Sequence, residues 1–370
     1  MWLNKLSVFN FKNYTEAELT FLPSVNVFSG DNGAGKTNLL DAIHYLSLCK
    51  SYFNPIDSQQ IKQETDWFMV QGDYDKDDIP TQISCTVKRN QKKVFKRNKK
   101  EYPRLADHIG QFPLVMISPS DVSLVMDGSE ERRKFMDNVI SQTDAQYLDQ
   151  LMAYNRCLLQ RNSLLKQVGR MGYLDANLME VLDHQLTLLG QKIFERRKGF
   201  MEQFLPEFVR HYQFISQEAE VVELRYESQL HDQSFSDLLA SSADRDRLQE
   251  RTCCGIHKDE LAFSIHQGMP LKKFGSQGQQ KSFLIALKLA QYTYLHQIKG
   301  YKPLLLLDDI FDRLDDLRVR KLMMMVSNDE FGQLFITDTD ASRIKLIFEG
   351  IETEVRYFSI IQGTAEQIHE

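Results

Sequence analysis

Apolar and polar positions alternate at the start of the chain, with the period of strands. Leu6, Val8 and Asn10 alternate with Ser7 and Phe9, Lys12-Asn13-Tyr14 turns, and Ala17, Leu19 and Phe21 alternate again up to Pro23. Residues 1–28 therefore predict a β-hairpin and a third strand over Asn26-Val27-Phe28, and an amphipathic helix is expected from Asn38 to about Lys50. Trp67-Phe68-Met69-Val70 is a further strand candidate. Ile79, Thr81, Ile83, Cys85 and Val87 alternate with Gln82, Ser84 and Thr86, as in a strand buried on one face. Lys92-Lys93-Val94-Phe95 should continue it as a hairpin, and Phe112 to Ile117 reads as a buried strand ended by Ser118-Pro119.

From about Glu130 to Leu205 the period becomes helical. Leu151, Leu158 and Leu165 recur every seven residues with Tyr154 between them; Gly169 and Gly172 break the run; Leu178, Leu182, Leu186, Leu189 and Ile193 resume it. This predicts an αα-hairpin, an arm inserted between two halves of a core, with the heptad leucines as internal packing rather than a dimer zipper. Beyond it come a strand from Leu261 to His266 and a long helix to about Leu295 with Leu284, Leu287, Leu289 and Ala290 on its apolar side. Four consecutive leucines, Leu304 to Leu307, deliver Asp308 and Asp309 and fit a strand buried on both faces in a parallel α/β sheet; Leu334 to Asp338 is its expected neighbour.

Composition changes this picture only locally. The 370 residues, 42% hydrophobic and 26% charged, allow one large core or two to three smaller ones. No run of about 18 apolar residues occurs, so no membrane span is expected. Met1-Trp2-Leu3-Asn4-Lys5 lacks the layout of a secretory signal. Five cysteines, with Cys253 and Cys254 adjacent, suggest neither a disulfide framework nor a zinc site, and the expected compartment is cytoplasmic. A net charge of −6 argues against a protein that coats nucleic acid by overall charge. Yet nine of the 45 Lys/Arg, and only one acid, Glu101, fall between Lys88 and Arg104. Such a segment is either a local polyanion contact or a solvated hairpin tip. Arg156, Arg161, Arg170 and Arg196-Arg197-Lys198 decorate the arm, where most such charges are solvated.

Gly30-Asp31-Asn32-Gly33-Ala34-Gly35-Lys36-Thr37 matches G-x-x-x-x-G-K-[ST], between a predicted strand and the helix that opens at Asn38. Glycines let successive backbone N–H groups face one concavity, and the helix N-terminus adds positive potential there. The chain is therefore expected to bind a nucleoside triphosphate, with Lys36 on the β/γ-phosphates and Thr37 on Mg²⁺. Asp308 would hold the same Mg²⁺, directly or through water, at the carboxyl edge of the sheet.

Ser276-Gln277-Gly278-Gln279, opening a helix ahead of the acidic strand, is similar to the signature of ABC-type ATPases. Leu314-Asp315 follows Asp309 at the distance of their D-loop. With a helical insertion between the halves, these features resemble the SMC/Rad50 branch. Finer matches resemble its RecF family: Leu6 to Tyr14 is similar to L-x-x-x-N-F-R-N-Y, and Ser118-Pro119-Ser120-Asp121 followed by Gly128 to Asp137 resembles a middle motif. Tyr154-Asn155-Arg156, Gln160-Arg161-Asn162 and Gly275 to Gln280 add to it. Lys12 departs from arginine, Gly255-Ile256-His257-Lys258 from Gly-Pro-His-Arg, and Asp312-Arg313-Leu314-Asp315 from Ser-Glu-Leu-Asp. No switch histidine follows Ile336; Thr337 or Asp338 stands there.

The resemblance implies an α/β ABC-type P-loop ATPase head, a mixed sheet with flanking helices, carrying an inserted helical arm. Residues 1–130 would form the N-terminal half with P-loop and β-subdomain, 131–250 the arm, and 251–370 the C-terminal half with signature, Walker B and D-loop. It implies ATP and Mg²⁺ as cofactors, held by Gly30 to Asn38. In an ATP-dependent homodimer, Ser276, Gly278 and Gln279 of one copy would complete the site of the other. Lys36, Asp308 and Asp309 would carry slow hydrolysis, Asp309 being one methylene shorter than the more usual glutamate. The implied partners are double-stranded and gapped DNA and RecO/RecR-type mediators that help load recombinase. Lys92, Lys93, Lys96, Arg97, Lys99 and Lys100 are then the expected phosphate contacts. Alternatives are another SMC/Rad50-like ATPase with a short arm, or an ABC ATPase that does not act on DNA.

Overall fold

The computed structural model describes residues 1–171, 175–216, 221–266, 268–311, 316–327 and 330–368. The chain divides into two compact units, residues 1–122 with 281–370, and residues 123–280. The expected D-loop at Leu314-Asp315 and the break at Gly172 lie outside the described residues.

Unit one contains two six-stranded sheets. In the first, β1 (Trp2–Phe11) lies between β2 (Tyr14–Thr20) and β4 (Trp67–Lys76), and β5 (Ile79–Lys88), β6 (Val94–Arg97) and β7 (Lys100–Glu101) extend it, all antiparallel. The alternation expected in β5 is present: Thr81, Ile83, Cys85 and Val87 are buried, whereas Ile79, at the strand's start, is exposed. In the second sheet β3 (Val25–Ser29), β13 (Leu334–Asp338), β12 (Leu304–Asp308) and β8 (Leu114–Ile117) run parallel in that order. Beside β3, β14 (Val355–Ile361) is also parallel and β15 (Thr364–Ile368) is an antiparallel edge. Every residue of β3, β8, β12 and β13 is buried, as the four-leucine run requires. Gln333, 1% exposed, ties the sheets together: its side chain accepts the Leu3 N–H and donates to the Leu3 and Leu22 carbonyls, each at 2.7 Å.

α1 (Lys36–Leu48) packs against strands of both sheets. Eleven of its 13 residues are buried, so the expected amphipathic helix is instead a core helix with no solvent face. α8 (Gln277–Lys299) likewise has no polar side from Ser282 to Tyr292, where even Lys288 and Gln291 are buried. α9 (Asp316–Ser327) and α10 (Ala341–Phe348) complete this unit, and the unit boundary falls within the first turn of α8.

Unit two begins with α2 (Ser123–Met126) and α3 (Ser129–Thr143), followed by the arm helices α4 (Ala145–Met171) and α5 (Ala176–Ser216). A three-stranded sheet, β9 (Val222–Glu227), β10 (Glu260–Ile265) and β11 (Met269–Pro270), joins them with α6 (Phe235–Gln249) and α7 (Leu271–Phe274). The unit is wider than the 131–250 expected for the arm because β9 and β10 pack on α5 and α3. Two expectations are corrected here. α4 runs through Gly169 to Met171 without a break. Among its described side chains the buried stripe is Tyr147, Tyr154, Cys157, Arg161, Leu164 and Leu165, while Leu151 and Leu158 are only half-buried. Within that stripe Arg161, 2% exposed in its side chain, pairs with Asp183 on α5 and with Asp246 at 2.7 Å on α6. Gly190 permits the close approach of α5 to α6, because a Cβ there would meet the Phe235 ring at 2.5 Å.

Candidate functional site

The loop between β3 and α1 is built to turn sharply and stay open. Gly30, Gly33 and Gly35 all have positive φ; Gly35, at φ 119°, is the left-handed cap of α1. A Cβ on Gly30 would lie 2.2 Å from the Ile360 carbonyl oxygen of β14, whereas one on Gly33 would meet nothing within 4 Å. The cradle is pinned from behind and clear in front. Lys36 is 4% exposed and its ammonium donates to the Gly30 and Asp31 carbonyls at 2.7 and 3.1 Å, spanning the loop. Asp31 and Asn32 are exposed at its rim. The Asn38 and Leu39 N–H groups donate to the Gly35 carbonyl at 3.0 and 3.3 Å, so in the first turn of α1 only the Lys36 and Thr37 N–H groups lack an intrahelical acceptor.

Parallel pairing of β3, β13 and β12 brings the loop and the acidic strand to one sheet edge. The Thr37 hydroxyl donates to Asp308 Oδ1 at 2.8 Å across 271 positions. Thr337 on β13 donates to the same oxygen at 2.9 Å. Its hydroxyl oxygen accepts the Asp309 N–H at 2.9 Å. Asp309 stands at φ 45°, a left-handed conformation unusual outside glycine, with its Oδ1 3.3 Å from the Thr337 hydroxyl. Burial pushes the Asp308 carboxyl above the ordinary carboxylate range, and the Thr37 and Thr337 hydroxyls oppose that shift. A buried carboxylate beside a hydroxyl, all hard oxygen donors, suits Mg²⁺; with the amide cradle and Lys36 it suits a triphosphate.

Asn13 and Tyr14 belong to this site, although the sequence marked them only as part of a motif. Asn13 Nδ2 donates to the Ala34 carbonyl at 2.9 Å, Asn38 Nδ2 donates to Asn13 Oδ1 at 2.7 Å, and the Tyr14 hydroxyl donates to the Gly35 carbonyl at 3.1 Å. The β1–β2 turn is thus a strut under the P-loop, and Asn38 serves the strut rather than the cradle's mouth. Lys12, at the same turn, pairs with buried Asp41 of α1 at 2.6 Å, so the charge retained there has an internal partner. Thr337 occupies the position where no switch histidine was found, and Asp338 is paired with Arg343.

Ser276, Gly278 and Gln279 lie in unit two at the start of α8. Ser276 Oγ accepts the Gln279 N–H at 3.2 Å and Gln279 Oε1 accepts the Ser276 N–H at 2.6 Å, a reciprocal capping box. The S-x-x-Q spacing is therefore first a helix start. The Ser276 hydroxyl still has its proton to donate.

The basic residues occupy two consecutive hairpin turns and the short strands β6 and β7 at the free edge of the first sheet. Asn98 and Lys99, both at positive φ, form the β6–β7 turn. Lys92, Lys96, Arg97, Lys99 and Lys100 are exposed. Lys93 is not among them: its ammonium donates to the Cys49 carbonyl at 2.6 Å and pairs with Asp57 at 2.9 Å, over the Tyr45 ring. On the arm, Arg161 and Arg197 are likewise buried rather than solvated. Arg197, 1% exposed, pairs with Asp137 at 2.9 Å and Asp259 at 2.7 Å and donates to the Ile256 carbonyl at 2.8 Å.

A family model described as the RecF/RecN/SMC N terminal domain matches residues 2–355. A "DNA replication and repair protein RecF" of Flavobacterium johnsoniae is 49% identical over 97% of this chain and 100% of its own length. Among solved structures, the recombination mediator protein RecF with ATP in the RecFOR pathway superposes with TM-score 0.90 at 30% identity, covering 100% of this chain and 98% of that one. An Smc head bound to the C-winged helix domain of ScpA gives TM-score 0.58 at 14% identity, covering 100% of this chain and 97% of that chain, a likeness of fold alone. The fold is that of an SMC-like ATPase head.

Proposed function

The chain belongs to the RecF family of the wider RecF/RecN/SMC group, and from that premise we propose that it is an ATP-controlled DNA clamp of replication and repair. The observation that carries this reading is the 2.8 Å contact between Thr37 and Asp308, which joins the phosphate loop to the metal acid. ATP binds through Gly30 to Thr37 with Lys36 on its terminal phosphates. Thr37 and Asp308 would hold Mg²⁺, which would supply charge neutralisation to the triphosphate.

The signature turn of a second copy then closes the site. Ser276 Oγ donates its free proton to the γ-phosphate and the Gly278 N–H donates beside it, so the γ-phosphate holds two heads together. Asp309 orients the attacking water. Its short side chain makes hydrolysis slow, and hydrolysis releases the pair. Two heads present two sets of Lys92, Lys96, Arg97, Lys99 and Lys100 to duplex or gapped DNA, by phosphate contact without base readout. RecO- and RecR-type mediators are the proposed protein partners, a role supported by the RecFOR-pathway relative.

Sedimentation with ATP, ADP or no nucleotide, with and without gapped duplex, tests the reading. A dimer is expected only with ATP, and a monomer throughout would refute it. Ser276→Asp keeps the helix cap but sets a carboxylate against the γ-phosphate. It should preserve ATP binding and abolish dimerisation; equal loss of both would contradict a role in trans.

A further inference from the structure

Behind Asp308, unit one holds a second buried charge cluster. The Lys288 ammonium on α8 lies 2.7 Å from Asp121 Oδ1, and both side chains are 6% exposed. Lys288 also donates to the Tyr52 hydroxyl at 3.1 Å, and that hydroxyl donates to Asp121 Oδ1. The second oxygen of Asp121 accepts the Ser118 N–H at 2.8 Å. Ser118 Oγ then donates to Asp308 Oδ2 in a long contact of 3.5 Å, while Asp308 Oδ1 takes the Thr37 and Thr337 hydroxyls. Catalytic hydrogen bonds are often long before substrate tightens them.

A buried ion pair is a weak stabiliser, and apolar side chains of similar volume fill such a site equally well. Lysine is almost never fully buried unless paired. Here the pair lies one serine away from the metal acid, on the one oxygen of Asp308 that Thr37 and Thr337 leave open. We propose that Lys288 and Asp121 are a positioning pair for Asp308. They fix the Ser118 backbone, Ser118 fixes Oδ2, and Oδ1 is thereby aimed at Thr37.

The proposal rests on the ATP and Mg²⁺ reading above, and the test separates the two. Binding of a fluorescent ATP analogue is measured with Mg²⁺ and with chelator for the native chain, for Lys288→Met/Asp121→Asn and for Ser118→Ala, with thermal melts of each. The native chain should bind more tightly with Mg²⁺; no gain at all would refute the metal reading and the proposal with it. The double variant, with both charges removed together, should melt near the native temperature and keep its metal-free affinity. Its Mg²⁺ gain should fall by about tenfold or more, with hydrolysis falling in parallel. A full Mg²⁺ gain in the double variant would reduce the pair to core packing. Should the double variant not fold, Ser118→Ala decides, since it cuts only the last link: a retained Mg²⁺ gain there overturns the proposal.

Discussion

Replacing Lys92, Lys96 and Lys100 together by alanine should flatten the salt dependence of DNA binding, whereas replacing Lys93 by methionine should not. The three are exposed on the hairpin turns and strands at the sheet edge. Each phosphate neutralised contributes about 0.9 to the slope of log affinity against log salt, so losing three contacts lowers that slope by about 2.7 per protomer. Lys93 is 18% exposed in its side chain and is held by the Cys49 carbonyl and Asp57. Losing a charge-assisted bond of this kind costs about 2 kcal/mol of stability, or roughly 4–8 °C in a domain of this size. The assay is fluorescence anisotropy on a labelled duplex with a non-hydrolysable ATP analogue across a salt series, beside thermal melts. An unchanged slope in the triple variant would make the segment a lysine-guarded sheet edge that only prevents strand pairing. A slope change in Lys93→Met as large as one of the three would refute the internal role given to Lys93.

Three other outcomes follow from the geometry. Asn13→Ala removes two hydrogen bonds under the P-loop, each worth about 1 kcal/mol; calorimetry should show ATP binding at least about tenfold weaker, and native affinity would mean the strut is dispensable. Arg197→Met strands the carboxylates of Asp137 and Asp259 and should cost about 3–5 kcal/mol by urea unfolding, most of it recovered when both acids are also changed to asparagine. His108, fully buried with its Nε2–H on the Leu46 carbonyl, has its pKa lowered by burial to about 4. The unfolded chain therefore takes a proton that the folded chain refuses, and stability is lost as pH falls from about 6.5 toward 4. At pH 5 the loss is about 2 kcal/mol for this histidine, and His108→Gln should remove it from the difference between urea midpoints at pH 7.5 and 5.

Local pattern was enough for the elements and for half of the site. A strand that must hide both faces needs an unbroken apolar run, so Leu304 to Leu307 announced a central parallel strand. A loop that must bare its amides needs glycine, so Gly30 to Thr37 announced the sharp turn at positive φ that is proposed to cradle phosphate. These are demands the backbone makes on residues beside one another, and they are written in order along the chain. What charged side chains do was not legible in the same way. Lys93, Arg161, Arg197 and Lys288 look like solvent-facing cations in the sequence, yet each is drawn in by a carboxylate 22 to 167 positions away. The helix after the P-loop passed for amphipathic because its buried His44, Ser47 and Asp41 are polar; only packing between two sheets removed its solvent face. Asn13, Thr337 and Ser118 joined the site for the same reason. A hydrogen bond across the fold leaves no period in the sequence, and tertiary structure alone decides which polar group meets which.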